Sequence, residues 1–293
     1  MGSRLTSAMQ QNQSILAFRR ARYLKITLGL CALAIGLYVW HEPPLVYLKP
    51  YGGTWLGYTL GTVAAVLILW LMLLGVRKRR YRSAMGSVQG WTSAHVYLGT
   101  SLIVIATLHS AFTFGWNIHT LAYVLMMAVI LSGFFGVFAY LRYPERMTGN
   151  LAGETLESML LKIADLDRKC RRLALDLPDE INALVMKATR ASSRELTVAR
   201  SFRRQITAIN ADCPTRVVCD ALMHIGLSLT SEQAKINGQL LSEMTRKSAL
   251  IDRVRRDMRF RALMRIWLFV HVPLSFALLA ALIAHIFSVF YYW

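Results

Sequence analysis

Acidic residues are scarce in most of this chain, and glycine-rich nucleotide loops are missing from all of it. Of the 16 acidic residues, only Glu42 lies outside residues 145–262. The sequence contains no GxxxxGK[ST] loop and no GxGxxG turn after a predicted strand. Those loops bind phosphates and dinucleotides through their backbone amides. The sequence therefore gives no sign of a flavin or nicotinamide domain, which is the simplest source of electrons for a redox protein.

Cysteine is also scarce, with four residues in 293. Cys31 lies in an apolar run, whereas Cys170, Cys213 and Cys219 lie in the polar segment. The CPTRVVC spacing matches no iron–sulfur pattern, even if His224 is counted as a fourth ligand. We expect incidental thiols, because structural disulfides are rare in the reducing compartment that the charge pattern predicts for this segment.

Long apolar runs dominate the rest of the chain. Hydrophobic residues make up 55% of the sequence, and the mean hydropathy is +0.39. Each run is long enough to cross a bilayer as a helix. The predicted spans are residues 24–40, 55–76, 91–115, 118–141 and 263–290. The sequence thus predicts an all-α integral membrane protein, a helical bundle of about five transmembrane helices.

A polar segment interrupts the predicted bundle between its fourth and fifth spans. Apolar residues recur at helical spacing near residues 156–166 and again near residues 236–258, where the pattern runs directly into the fifth span. Pro178 begins another predicted helix, and Ser231 is a candidate cap. We expect a coiled-coil-like helical hairpin, although residues 192–229 carry no assignable pattern. The predicted domains are a membrane domain over 1–144, the insertion over 145–262 and the fifth span over 263–293.

The net charge of +18 follows the predicted spans. The basic clusters are Arg19, Arg20, Arg22 and Lys25 before the first span, and Arg77, Lys78, Arg79, Arg80 and Arg82 after the second. Lys49 is the only lysine or arginine in the two loops of the opposite side. By the positive-inside rule, the N-terminus and the insertion are cytoplasmic and the C-terminus is outside the inner (plasma) membrane. The basic segment lacks clustered aromatics interleaved with its charges, and an anionic membrane surface explains the basic residues next to the spans. We therefore expect the lipid bilayer rather than nucleic acid as a partner.

Two of the predicted spans each carry a pair of histidines. His95 and His109 lie fourteen residues apart in the third span, and His271 and His285 have the same separation in the fifth. Fourteen residues are nearly four helical turns, so both histidines of a span lie on one side, ~21 Å apart along the axis. The two spans run in the same direction. His95 is therefore predicted to face His271 on the cytoplasmic side, and His109 to face His285 on the outer side.

Two facing histidines at each depth suit haem better than zinc. A structural zinc ion needs four protein ligands, whereas a porphyrin supplies four nitrogens and leaves two axial positions. Gly99 and Ser275, one turn after the inner histidines, are small where a porphyrin would lie. The alternative is polar packing inside a bundle, but histidine within a span is functional by default. The predicted iron ligands of two b-type haems are His95, His271, His109 and His285.

These paired histidines on parallel spans resemble those of the bis-histidine dihaem cytochromes b. The use of the third and fifth spans is most similar to the transmembrane part of ferric reductases and NADPH oxidases. The resemblance covers the five spans and implies membrane electron transport in an oxidoreductase. The family pattern continues into a flavin- and nicotinamide-binding domain, which is missing here, and it does not include the insertion. Electron donor and acceptor therefore do not carry over.

We expect an electron-transfer subunit that is not self-sufficient. It would work with a redox partner protein on the cytoplasmic or outer face, or with a quinol, although no residues indicate a quinone site. The alternative is a non-redox membrane scaffold or sensor whose cytoplasmic hairpin recruits a partner. The haem propionates would need cations at each interface. Our candidates are Arg265 and Arg82 on the inner side, with a snorkelling anchor as the alternative for Arg265, and Lys49 assisted by His119 on the outer side.

Overall fold

The computed structural model describes residues 15–41, 51–80, 86–151, 154–198 and 214–292. Eight α-helices and no β-strand occur in these residues, which confirms the all-α prediction. The chain divides into two compact units. The first comprises residues 1–138 and 267–293, and the second comprises residues 139–266.

The first unit contains the apolar helices. They are α1 (Phe18–Trp40), α2 (Trp55–Arg79), α3 (Val88–His109), the first part of α4 (Ile118–Leu151) and the last part of α8 (Ser231–Tyr292). By length and composition all five can cross a membrane. The five predicted spans thus correspond to five candidate membrane-spanning helices, which are compatible with a multi-pass membrane protein. One boundary differs, because α3 ends at His109 whereas the predicted third span continued to residue 115. Apolar side chains such as Leu28, Phe276 and Phe287 are exposed on the surface of this unit, as lipid-facing residues would be.

The core of the first unit contains buried side chains from all five of its helices. Helix α2 packs most extensively against α3, and α1 also packs closely against α3. On α2 the buried residues recur every three or four positions, which places them on one helical face. They are Leu56, Leu60, Ala64, Ile68 and Leu71. Both helices begin with a capping residue: the Thr54 hydroxyl accepts from Gly57 N at 3.1 Å, and the Ser87 hydroxyl accepts from Gly90 N at 3.1 Å. Each cap satisfies an amide that the first helical turn leaves free.

The second unit is a packed helical bundle rather than the predicted hairpin. It contains the end of α4, α5 (Leu156–Ala174), α6 (Asp179–Val198), α7 (Pro214–Ile225) and the start of α8. Its core joins Cys170 of α5, Ile181 of α6, Leu222 of α7 and Met244 of α8. Helix α7 lies in the stretch that the sequence pattern leaves unassigned. With only 12 residues it is too short for periodicity to identify, and it gains its partner by packing on α6.

The helix boundaries in the second unit match the sequence with one correction. Helix α6 begins directly after Pro178, as predicted. Helix α8 begins at Ser231, so its capping position is Thr230, and Ser231 is not the cap. The amide of Thr230 donates to Gln233 Oε1 at 3.4 Å, which is one half of a capping box. The predicted continuity into the fifth span is confirmed, because α8 is one helix of 62 residues.

A buried ion pair lies in the second unit. Lys247 Nζ lies 2.5 Å from Asp167 Oδ1, and the two side chains are 0% and 8% exposed. The Thr189 hydroxyl also donates to Asp167, at 3.2 Å. Nearby, burial raises the pKa of the Cys170 thiol to about 11, which agrees with an inert thiol. Cys213 lies outside the described residues.

Candidate functional site

The four predicted ligands lie in the first unit on two helices. Helix α3 carries His95 and His109, and α8 carries His271 and His285. The ring centroids of His109 and His285 are 6.0 Å apart, with their planes at 87°. His109 and His285 thus form one of the two pairs expected for parallel helices, and the pairing of His95 with His271 stays a prediction.

Helix α2 fixes the orientation of both histidines on α3. His95 Nδ1 lies 3.0 Å from the carbonyl oxygen of Leu71, and His109 Nδ1 lies 2.8 Å from that of Gly57. A carbonyl oxygen can only accept, so both Nδ1 atoms carry a proton and both Nε2 atoms keep a free lone pair. Leu71 and Gly57 are themselves fourteen residues apart. Helix α2 therefore holds both imidazoles of α3 in the same tautomer, with a free lone pair on Nε2.

Helix α4 orients His271 in the same way. The hydroxyl of Ser132 lies 2.6 Å from His271 Nδ1 and donates its own proton to the carbonyl of Val129 at 2.7 Å. The hydroxyl oxygen is therefore the acceptor, and His271 Nδ1 is the donor. This contact again leaves Nε2 with a free lone pair. Sequence reasoning missed Ser132, because a serine within an apolar span has no distinguishing spacing.

The partner of His285 is another histidine. The Nδ1 atoms of His285 and His119 are 2.5 Å apart, and the ring centroids lie 4.5 Å apart with the planes at 89°. His119 is in the first turn of α4. The sequence placed it at the outer interface as a helper for a haem propionate. The structure places it against a predicted iron ligand.

Small residues on α2 and α4 leave room for the rings. A Cβ atom at Gly61 would lie 2.6 Å from His109 Cε1, and one at Gly136 would lie 2.1 Å from Trp267 Cζ2. Trp267 donates its Nε1–H to the carbonyl of Ser132 at 2.7 Å, and its ring centroid lies 5.3 Å from that of His271. Gly136 therefore serves helix packing. The Cβ of a residue at 133 would meet His271 Cε1 at 3.8 Å, an ordinary contact.

A tryptophan precedes each inner histidine by one helical turn. Trp267 lies four residues before His271, and Trp91 lies four residues before His95. Trp91 stacks on Trp70 of α2, with centroids 4.8 Å apart and planes at 11°. The repeated WxxxH spacing is visible in the sequence and would have indicated these neighbours. His95 and His271 thus each follow a tryptophan of their own helix by one turn.

The remaining predicted site residues are the two small residues near the inner histidines and the candidate propionate cations. A Cβ at Gly99 would lie 3.8 Å from Leu71 Cδ1 of α2, and the Ser275 hydroxyl donates to the carbonyl of His271 at 2.8 Å. Arg265 is exposed and belongs to the second unit. Arg82 and Lys49 lie outside the described residues. The roles predicted for these residues stay predictions.

Within the described residues, no cluster of three or more histidine, cysteine or acidic side chains could hold a metal ion. The ring of His285 lies close to those of His109 and His119. With metal–nitrogen distances of about 2 Å on either side, two axial imidazoles have centroids about 6 Å apart. The 6.0 Å separation of His109 and His285 agrees with that value.

Comparison with known proteins yields no family model, no curated protein and no solved structure that matches this chain.

Proposed function

We propose that this chain is a membrane cytochrome b subunit, which carries electrons across the membrane through two b-type haems. The observation that supports it most is the orientation of the four histidines. Each Nδ1 is engaged by a neighbouring helix, through Leu71, Gly57, Ser132 and His119. Metal-ligating histidines almost always donate a hydrogen bond from the ring nitrogen that does not bind the metal. That bond fixes the tautomer and the direction of the ring.

In this proposal the haems supply the one-electron redox chemistry, and the chain supplies geometry and environment. His95 and His271 would hold the inner iron, and His109 and His285 the outer iron. Between the two depths the helices present the buried side chains Leu102, Leu278 and Leu282, which exclude water. Two imidazoles of the chain would hold each iron, so we expect electron transfer rather than direct oxygen chemistry.

The proposed topology has the N-terminus and second unit in the cytoplasm and the C-terminus outside the inner (plasma) membrane. It rests on the basic clusters that flank the spans. A transmembrane pair of haems needs a donor on one face and an acceptor on the other. We propose a separate redox protein or a quinol as the donor, with the second unit as the docking module for a protein partner.

A non-redox scaffold or sensor is the second candidate function. It is favoured by the second unit, which has a packed core of its own, as a recruitment module would. The two functions differ in one respect: only the cytochrome requires haem.

Spectroscopy of the purified full-length chain tests the proposal. We expect a reduced-minus-oxidised b-type spectrum and two haems per chain by pyridine haemochrome assay. The matched control is His224→Ala, since His224 is an exposed histidine of the second unit, and its haem content should equal that of the wild type. If the wild-type chain folds without haem in cells that make other b-type cytochromes, the cytochrome proposal is wrong and the scaffold function remains.

A further inference from the structure

His285 differs from the other three proposed ligands in the atom that its Nδ1 contacts. His95, His109 and His271 each have an oxygen atom as partner. The partner of His285 is Nδ1 of a second imidazole, at 2.5 Å. An oxygen partner is an acceptor in each of the three cases, whereas a neutral imidazole nitrogen accepts in only one tautomer.

The position of His119 is fixed by the start of α4. The side chain of Asn117 accepts from Thr120 N at 2.9 Å, as a capping residue does. The Thr120 hydroxyl in turn accepts from Gly115 N at 3.0 Å. Both bonds join Thr120 to residues that precede His119, and together they hold the backbone of His119 in the first helical turn. The imidazole is therefore presented to α8 from an anchored segment.

The ring of His285 lies between two other imidazoles. His109 is on one side, with centroids 6.0 Å apart, and His119 is on another, with centroids 4.5 Å apart. Two facing Nδ1 atoms need one proton between them. If His285 binds iron through Nε2, its Nδ1 carries that proton, and His119 Nδ1 is the acceptor with its own proton on Nε2.

We infer that His119 is the positioning residue of the outer haem site, where it accepts the Nδ1–H of His285 and aims the opposite ring nitrogen at the iron. This inference rests on the proposed function. It assigns His119 a role through His285, and not as an iron ligand or a propionate partner. A hydrogen-bonded acceptor makes an axial imidazole a stronger donor to iron and stabilises the oxidised form. Removal of the acceptor should therefore raise the midpoint potential of the outer haem.

The test uses three variants of His119 in the purified full-length chain. Leucine removes the acceptor, glutamine replaces it with an amide oxygen, and arginine offers donors only. For His119→Leu and His119→Arg, we expect a raised outer midpoint potential and an outer-haem affinity that falls about 10–100-fold. His119→Gln should restore the potential towards the wild-type value. The inner haem should keep its potential in all three. The matched control is His224→Leu, which should change neither haem.

The readouts are redox potentiometry, haem content on dilution and the EPR g-values of each low-spin haem. If His119→Leu does not fold, the test rests on the comparison of His119→Gln with His119→Arg. Equal midpoint potentials of the outer haem in those two variants would overturn the inference. Two bound haems with unchanged potentials in His119→Leu and His119→Arg would also overturn it and leave the proposed function intact. An equal shift of both haems would show a general structural role and overturn it too. A wild-type chain without haem would instead defeat the proposed function.

Discussion

At the scale of single residues, the site depends on which nitrogen of each imidazole carries the proton. The carbonyl oxygens of Leu71 and Gly57 and the hydroxyl of Ser132 require a proton on Nδ1 of their histidine partners. Each contact also costs a ring its rotational freedom before any ligand binds. The chain therefore presents imidazoles that need little rearrangement to bind a metal.

Haem loss should follow the pairing of the histidines. We expect His95→Ala and His271→Ala to remove the same redox component, and His109→Ala and His285→Ala to remove the other. The reason is that an iron with one axial imidazole left is held much more weakly. Potentiometric titration of each variant measures this. A shared loss in His95→Ala and His285→Ala would contradict the parallel arrangement.

At the scale of helices, close contacts depend on glycines that lie opposite aromatic rings. Gly61 of α2 lies against His109, and Gly136 of α4 lies against Trp267. In both cases the nearest atoms belong to rings whose own hydrogen bonds hold them in place. A ring held in this way cannot move aside for an added methyl group.

A methyl group at position 61 should disturb the outer site alone. In Gly61→Ala the new Cβ would lie 2.6 Å from the His109 ring, and such overpacking costs about 1–3 kcal/mol. We expect loss or a spectral shift of the outer haem, read by EPR. Gly75→Ala on the same helix is the control, because nothing lies within 4 Å of its Cβ. Equal effects of the two variants would show that helix flexibility, and not the ring contact, is responsible.

The same comparison is available at the inner site. Gly136→Ala would place a Cβ 2.1 Å from Trp267, whereas Gly133→Ala would make an ordinary contact of 3.8 Å with His271. We expect Gly136→Ala to shift the inner-haem potential and Gly133→Ala to shift it less. Redox titration of both variants checks the order. The reverse order would mean that Trp267 does not support His271.

At the scale of the whole molecule, the two units differ in what they contain. The first unit holds all four proposed ligands, and the second has a separate core with its own buried ion pair. A buried pair is strongly destabilising to break, because the remaining charge stays uncompensated in the core. The stability of the second unit should therefore fall when one partner of this pair is removed.

Lys247→Ala should destabilise the second unit by about 3–5 kcal/mol, since it leaves Asp167 buried without its cation. Replacing both partners, as Lys247→Met with Asp167→Leu, should recover most of that loss. Arg168→Ala is the control, because its pair with Asp165 is exposed and worth about 0–1 kcal/mol. Denaturant unfolding of the full chain in detergent measures all three. A double variant no more stable than Lys247→Ala would show that the pair contributes no charge-specific stability.

The isolated chain should not act as a reductase by itself. It has no nucleotide-binding loop in its sequence, so we expect bound haem but no NADH- or NADPH-driven reduction of ferric iron or oxygen. Stopped-flow measurement of haem reduction tests this, with dithionite as the positive control. Reduction should become fast only with a partner subunit or a quinol. Rapid reduction by NADPH alone would reveal a cofactor site outside those argued above.

The sequence by itself determined the properties that depend on local periodicity. Apolar runs of span length predict the five helices, and the fourteen-residue spacing places two histidines on one side of α3 and of α8. The same reasoning predicts the continuous α8. It also predicts the first turn of α6, where Pro178 precedes the helix.

Only the tertiary structure decided which atoms the histidines contact. Backbone carbonyls such as those of Leu71 and Gly57 are present at every position, so no residue type marks the two that accept. His119 and His285 are separated by 166 positions, and nothing in either local sequence connects them. Helix α7 likewise depends on packing, because a helix of 12 residues is stable only when its apolar face is buried against α6. These contacts are set by long-range packing, which local periodicity does not specify.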